Sequence, residues 1–233
     1  HYFHNNYAEQ ETEDWWEAIC RSTKEIVKEI EPEAVLGISF SSQMQACVVV
    51  DEKGNALRPV MIWADQRSGE QMEKLTEKWS GRMYEINGHR PSASYSIEKL
   101  MWIRDHEAEV YQNTYKMLLA KDYIICRLTG KFVTDYSEAS GTDAFDLKGM
   151  EWSEEVLSAA EIPADKMPEL HASTDVIGNL TAHAAEELGL AVNTKVVCGG
   201  GDGTMFCTGS RKYGEWADVP VVWHLGMDRR NFR

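Results

Sequence analysis

Residues 195–204 read Lys195-Val196-Val197-Cys198-Gly199-Gly200-Gly201-Asp202-Gly203-Thr204, a short apolar run that ends in glycines. Such a run predicts a buried strand that stops abruptly and turns. Glycine lets the backbone turn sharply and leaves no Cβ between the chain and an approaching ligand. One carboxylate, Asp202, stands at the strand tip. It reads either as a general base beside a phosphate, with Gly201 and Gly203 flanking it, or as a solvated aspartate on a tight surface turn.

Composition narrows the field. A formal net charge of −14 argues against nucleic acid or an anionic membrane as partner, because both would be repelled. The five cysteines are scattered, odd in number and without CxxC spacing. That pattern predicts a reducing compartment, taken as cytoplasmic, and no metal site. No apolar run approaches membrane-spanning length, and the first residues are not signal-like.

Along the chain, residues 1–11 show no strand or helix period and predict an irregular segment; His1 and His4 lack a third ligand. Trp16, Ile19, Thr23, Ile26, Val27 and Ile30 recur at helical spacing after an N-cap at Thr12, up to Pro32. β-Branched runs at 35–40, 46–50 and 57–63 predict strands. Helices are predicted over 67–79 with a stop at Gly81, then over 92–105, 106–113, 116–128, 154–161 and 182–188. Ser153 and Thr181 read as N-caps, 132–136 as a short strand, 137–143 as a loop and 163–168 as a linker. The alternation places the chain in the α/β class.

Two polar insertions sit at predicted strand ends. Ser41-Ser42-Gln43-Met44-Gln45 faces a ligand crevice or forms an empty polar turn. In Trp63-Ala64-Asp65-Gln66-Arg67, Asp65 and Arg67 either grip sugar hydroxyls through charge-assisted bonds or form a surface ion pair.

These stretches, with Ser96, Lys99, Leu100, Trp102, Ile103, Asp105 and His106 at characteristic spacing, resemble the N-terminal domain of the FGGY carbohydrate kinases, the xylulokinase and gluconokinase group. The resemblance runs from about Ala8 to Thr204. It implies an actin-like/ribonuclease-H-like α/β domain, with the sugar in a cleft between two such domains. It also implies transfer of the γ-phosphoryl of Mg-ATP to a sugar hydroxyl, with Asp202 as general base. Met44 and Gln45 match a sugar-contacting pair that is Met-His in typical xylulokinases, so Gln45 is a departure. Asp65 and Arg67 match polar sugar-site residues. Lys121, Asp122 and Thr142 lie in family-like runs, and the signature residues are expected to pack the domain.

The resemblance also marks departures at both ends. The chain is expected to lack the family's first β-hairpin and its C-terminal domain. The expected division is an irregular 1–11, a kinase N-terminal domain over 12–204, and a non-family tail over 205–233. A bare sheet edge would follow, to be covered by a second copy or a complementing kinase chain. D-Xylulose or a similar ketose is the expected substrate and gluconate the alternative. A non-catalytic sugar-binding remnant, or half of a split kinase, is the reading from outside the enzyme class.

Overall fold

The computed structural model describes residues 1–3, 6–210 and 222–225. His4 and, of the expected tail over 205–233, residues 211–221 and 226–233 lie outside the described residues.

The chain opens on strands, which corrects the irregular reading of 1–11. β1 (Tyr2–Phe3) and β2 (Tyr7–Gln10) form an antiparallel pair, and β2 continues onto β5 (Val60–Met61). Ala8 and Glu9 are buried there. Between them run α1 (Thr12–Ile26), β3 (Gly37–Ser42) and β4 (Val48–Val50). In α1 the apolar period buries Trp15, Trp16 and Ile19 as anchors; Glu11, not Thr12, holds the cap position.

α2 (Gly69–Asn87) runs through Gly81 and stops at Gly88, which takes the left-handed φ of 75°. A single glycine costs a long helix only about 1 kcal/mol, so Gly81 did not end it. α3 (Ser96–His106) and α4 (Ala108–Asn113) follow. The predicted helix over 116–128 divides into β6 (Lys116–Leu118), antiparallel to β4, and α5 (Ala120–Thr129). After β7 (Val133–Asp135), the predicted loop contains a short helix, α6 (Tyr136–Ser140), whose cap Asp135 accepts from the amides of Ser137 and Glu138. The hairpin β8 (Phe145–Asp146) and β9 (Glu151–Trp152) leads to α7 (Glu154–Ala160), capped by Ser153 as expected. β10 (Glu169–His171) pairs with β7. β11 (Val176–Asn179), α8 (Ala182–Leu188), capped by Thr181, and β12 (Lys195–Val197) complete the approach to the glycine run.

The central sheet has β3 in its middle. β12 lies parallel to the start of β3, and β13 (Gly200–Gly201) lies parallel to its end, pairing Gly200 with Ser41 and Gly201 with Ser42. Gly199 separates the two pieces. Its φ is 69°, its N–H turns away to Ser173 O at 2.9 Å, and a Cβ there would collide with the Phe40 carbonyl. α9 (Asp202–Ser210) starts directly at Asp202, and β14 (Val222–Leu225) runs parallel to Ser39–Ser42 on the other edge of β3. β14 thus pairs one side of β3 from within this chain. One apolar core packs α1, α5 and α8 on this sheet, and a second lies among α2, α3 and α7.

Gly199→Ala is expected to destabilise the protein by at least about 2 kcal/mol, since both the φ and the Phe40 backbone oppose a Cβ. Chemical denaturation of the two proteins checks this; an unchanged midpoint would mean that the chain does not approach Phe40 as described.

Candidate active site

The pairing of β13 with β3 sets the glycine run beside the SSQM turn. Met44 leaves the end of β3 and wedges between two glycines. Its Cε lies 2.8 Å from where a Cβ on Gly141 would stand, and its Cγ 2.8 Å from the same point on Gly201. Real Cβ atoms do not approach carbon this closely, so both positions must be glycine for Met44 to sit there. Asp202, half-buried at the first residue of α9, accepts from its neighbour Gly203 N through Oδ1 at 2.7 Å.

Gln45 takes a left-handed φ of 64°, which costs a non-glycine residue roughly 1–3 kcal/mol. Lys99 holds it there. The buried Nζ donates to Gln45 O at 2.7 Å, Ile62 O at 2.8 Å and Ser94 O at 2.6 Å. Burial pulls the Lys99 ammonium down to about 7. Ile62 O also accepts Asp65 N at 2.9 Å, so one lysine ties the WADQR bend to the SSQM turn. The signature residue expected only to pack the domain shapes the turn that carries Met44 and Gln45.

Asp65 itself is wholly buried. Its Oδ2 accepts from Ala8 N at 2.7 Å and from Arg67 Nη2 at 2.7 Å, while Oδ1 accepts from Arg67 Nε at 2.9 Å. Arg67 also meets Glu9 Oε1 at 2.7 Å and lies over the Tyr7 ring at 3.8 Å. Two carboxylates thus balance its charge, and the group fastens β2 to the bend. Gly201 N donates to Ser137 Oγ at 2.9 Å and Gly203 N to Asp202, so both amides expected to meet a phosphate already have partners.

Beneath the glycine run lies a buried charge cluster. Lys121 and Asp122, which periodicity places on a charged helix face, are wholly buried at the start of α5. Lys121 Nζ lies 2.6 Å from Asp122 Oδ1 and 2.9 Å from Asp135 Oδ1. Burial opposes the lysine's charge, but the two carboxylates outweigh it and raise its pKa. Burial also opposes charge on Asp135, yet Lys121 and the hydroxyls of Ser137 and Ser173 hold it below the usual range. Ser42 Oγ donates to the buried Glu138 and accepts from Lys121 N, joining the end of β3 to the cluster. Thr142 O accepts Ile97 N, which fixes the loop beside Met44 to α3. An aspartate ahead of a short helix is the capping signal that would have pointed to Asp135, whereas Ser137 carries no local signal of its own.

The FGGY family of carbohydrate kinases, in its N-terminal domain, matches residues 1–209. The chain belongs to this family. It is 35% identical over 198 residues to a xylulose kinase of Bacillus subtilis, covering 84% of this chain and 40% of that one. A gluconokinase of the same organism is 32% identical over 199 residues, 85% of this chain and 39% of the relative. Ligand-bound xylulose kinase from Lactobacillus acidophilus superposes with a TM-score of 0.85 at 26% identity, over 91% of this chain and 43% of that one. The chain therefore spans about 40% of the length of these curated relatives. The mixed α/β fold, read as an actin-like domain, agrees with the kinase structures it matches.

A separate groove of about 580 Å³ runs between α2, α3 and α7 of this FGGY domain. Two of its cations pair with its own acids, Lys74 with Glu70 at 3.0 Å and Arg104 with Asp105 at 2.8 Å. It contains none of Met44, Gln45, Asp65, Arg67 or Asp202. Asp105 and His106 of the signature segment line this groove, whereas the SSQM turn, the WADQR bend and the glycine run stand at strand ends.

Glu98 and Asp143 are two buried carboxyl groups whose charges oppose one another. Burial pushes Asp143 up to about 7 and raises Glu98 as well. The folded protein therefore holds these protons to higher pH than the unfolded chain. The stabilisation they give is full below about pH 4 and is lost as pH rises through about 7. Glu98→Gln removes one acid, so its melting temperature relative to the unaltered protein is expected to be higher at pH 8 than at pH 5. A difference that does not vary with pH would show that burial does not raise these two acids.

Proposed function

We propose that this chain is the sugar-holding part of an ATP-dependent sugar kinase, in which Asp202 accepts the proton of the hydroxyl that is phosphorylated. The observation that carries this reading is the half-buried Asp202 at a strand tip, paired to the turn that presents Met44 and Gln45. Met44 supplies an apolar wall and Gln45 an amide that both donates and accepts. The Asp65 amide is linked to the Gln45 carbonyl through Ile62 O and Lys99, and Arg67 is held on the Asp65 carboxylate.

In this reaction the sugar oxygen bonds to the γ-phosphorus, its proton passes to the Asp202 carboxylate, and ADP departs. Base catalysis of this kind contributes roughly 10²–10⁴-fold, and positioning with charge neutralisation supplies much of the rest. Magnesium bound with ATP would neutralise charge on the phosphates. Since Gly201 and Gly203 have their amides engaged, the nucleotide is expected to be held by the part of the relatives' length that this chain does not span. A neutral ketose such as D-xylulose suits the site better than gluconate. A carboxylate substrate needs an unbalanced cation, and the charge of Arg67 is already matched by Asp65 and Glu9.

Calorimetry and an ADP-release assay on the purified chain test this. D-Xylulose is expected to give binding heat, gluconate little, and Asp202→Asn at least about tenfold weaker binding of D-xylulose. No ADP release is expected from these residues alone, and turnover is expected once the remaining kinase portion is added in trans. Gluconate binding in preference to D-xylulose would reverse the substrate assignment. Binding that never leads to turnover in trans would favour a non-catalytic sugar binder.

A further inference from the structure

The peptide that carries Asp202 is tethered by a run of hydrogen bonds that starts at a buried cation. Lys121 Nζ lies 2.9 Å from Asp135 Oδ1. Asp135 Oδ2 accepts from Ser137 Oγ at 2.5 Å and from Ser173 Oγ at 2.7 Å. Ser137 Oγ accepts in turn from Gly201 N at 2.9 Å. A backbone amide only donates, so it occupies a lone pair of the hydroxyl and leaves the hydroxyl hydrogen for Asp135. The direction of the run is therefore fixed. Gly201 donates to Ser137, Ser137 donates to Asp135, and Lys121 donates to the other oxygen of the same carboxylate. An ionised acceptor at the end makes the Ser137 bond stronger than one between neutral groups, and it polarises the bond before it.

Asp202 is the next residue after Gly201. The short strand β13 gives this peptide little hold on the sheet, and glycines at 199, 200, 201 and 203 leave the backbone conformationally loose. The hydroxyl of Ser137 supplies an attachment that the sheet does not. We propose that Ser137, backed by Asp135 and Lys121, is the positioning residue that holds the Gly201–Asp202 peptide so that the carboxylate meets the sugar hydroxyl. The role of Asp202 rests on the function proposed above, whereas the tether does not.

Ser173 is an internal control. It gives Asp135 the same kind of hydrogen bond, but its hydroxyl has no bond to Gly201. The test uses the 233-residue chain with Ser137→Ala, Ser137→Thr, Ser173→Ala, Asp202→Asn and the double variant Ser137→Ala/Asp202→Asn. Amide exchange at Gly201 is read by NMR and D-xylulose affinity by calorimetry. Ser137→Ala is expected to speed Gly201 exchange at least about tenfold, while Ser137→Thr and Ser173→Ala stay within about threefold of the unaltered chain. Ser137→Ala is expected to weaken D-xylulose binding about tenfold, and to weaken it no further when Asp202 is already Asn.

A folded Ser137→Ala protein with unchanged Gly201 exchange would overturn the tether. Losses from Ser137→Ala and Asp202→Asn that simply add would overturn positioning through Asp202, since a general packing defect gives that result. If Ser137→Ala does not fold, Ser137→Cys, a weak acceptor of similar size, is read in its place with the same expectations. Absence of D-xylulose binding by the unaltered chain would count against the proposed function. In that event Gly201 exchange alone decides the tether.

Discussion

The site depends on a very short parallel pairing, Gly200 on Ser41 and Gly201 on Ser42. Two such pairs contribute little energy by themselves, because a backbone hydrogen bond nets only about 1 kcal/mol. Their importance is geometric. They bring residues some 160 positions apart in the chain into register, so that Met44 enters the space that Gly201 and Gly141 leave open. A slip of one residue would turn each side chain to the opposite face of the strand. Gly199 permits the close approach to the Phe40 carbonyl that this alignment requires.

Two buried lysines then fix what the strands bring together. Lys99 gathers three carbonyls from separate segments, and Lys121 gathers two carboxylates. Removing an ammonium from water is costly, and a hydrophobic replacement of similar volume is often no less stable. What these lysines supply here is direction. Each carries several donors on one atom, and that atom holds together segments that lie far apart in the chain. The strained φ of Gln45 persists because Lys99 holds the carbonyl on its far side.

Much of this was legible in the amino-acid sequence where a local signal had one dominant cause. The apolar period of α1, the caps at Ser153 and Thr181, and the strand before the glycine run all reappear in the structure. The placing of Met44, Gln45 and Asp202 just past strand ends was also read in advance, because glycines and polar residues interrupt the apolar runs there. Signals that depend on a distant partner were not legible. Lys116–Leu118 is too short a run for its period to separate strand from helix, and only its pairing with β4 decides the matter. Residues 7–10 look irregular until Asp65 and Arg67 are present to take up the Ala8 amide and the Glu9 carboxylate. Lys121 and Asp122 read as a solvated face because sequence does not show that Asp135 lies opposite them.

The most direct test of the central claim is a crystal structure of the chain with D-xylulose bound. A sugar hydroxyl is expected within hydrogen-bond reach of the Asp202 carboxylate, about 2.5–3.0 Å, with the sugar carbons against Met44 and a polar contact to Gln45. Sugar found instead in the groove lined by Lys74 and Arg104, with Asp202 facing bulk water, would contradict the account.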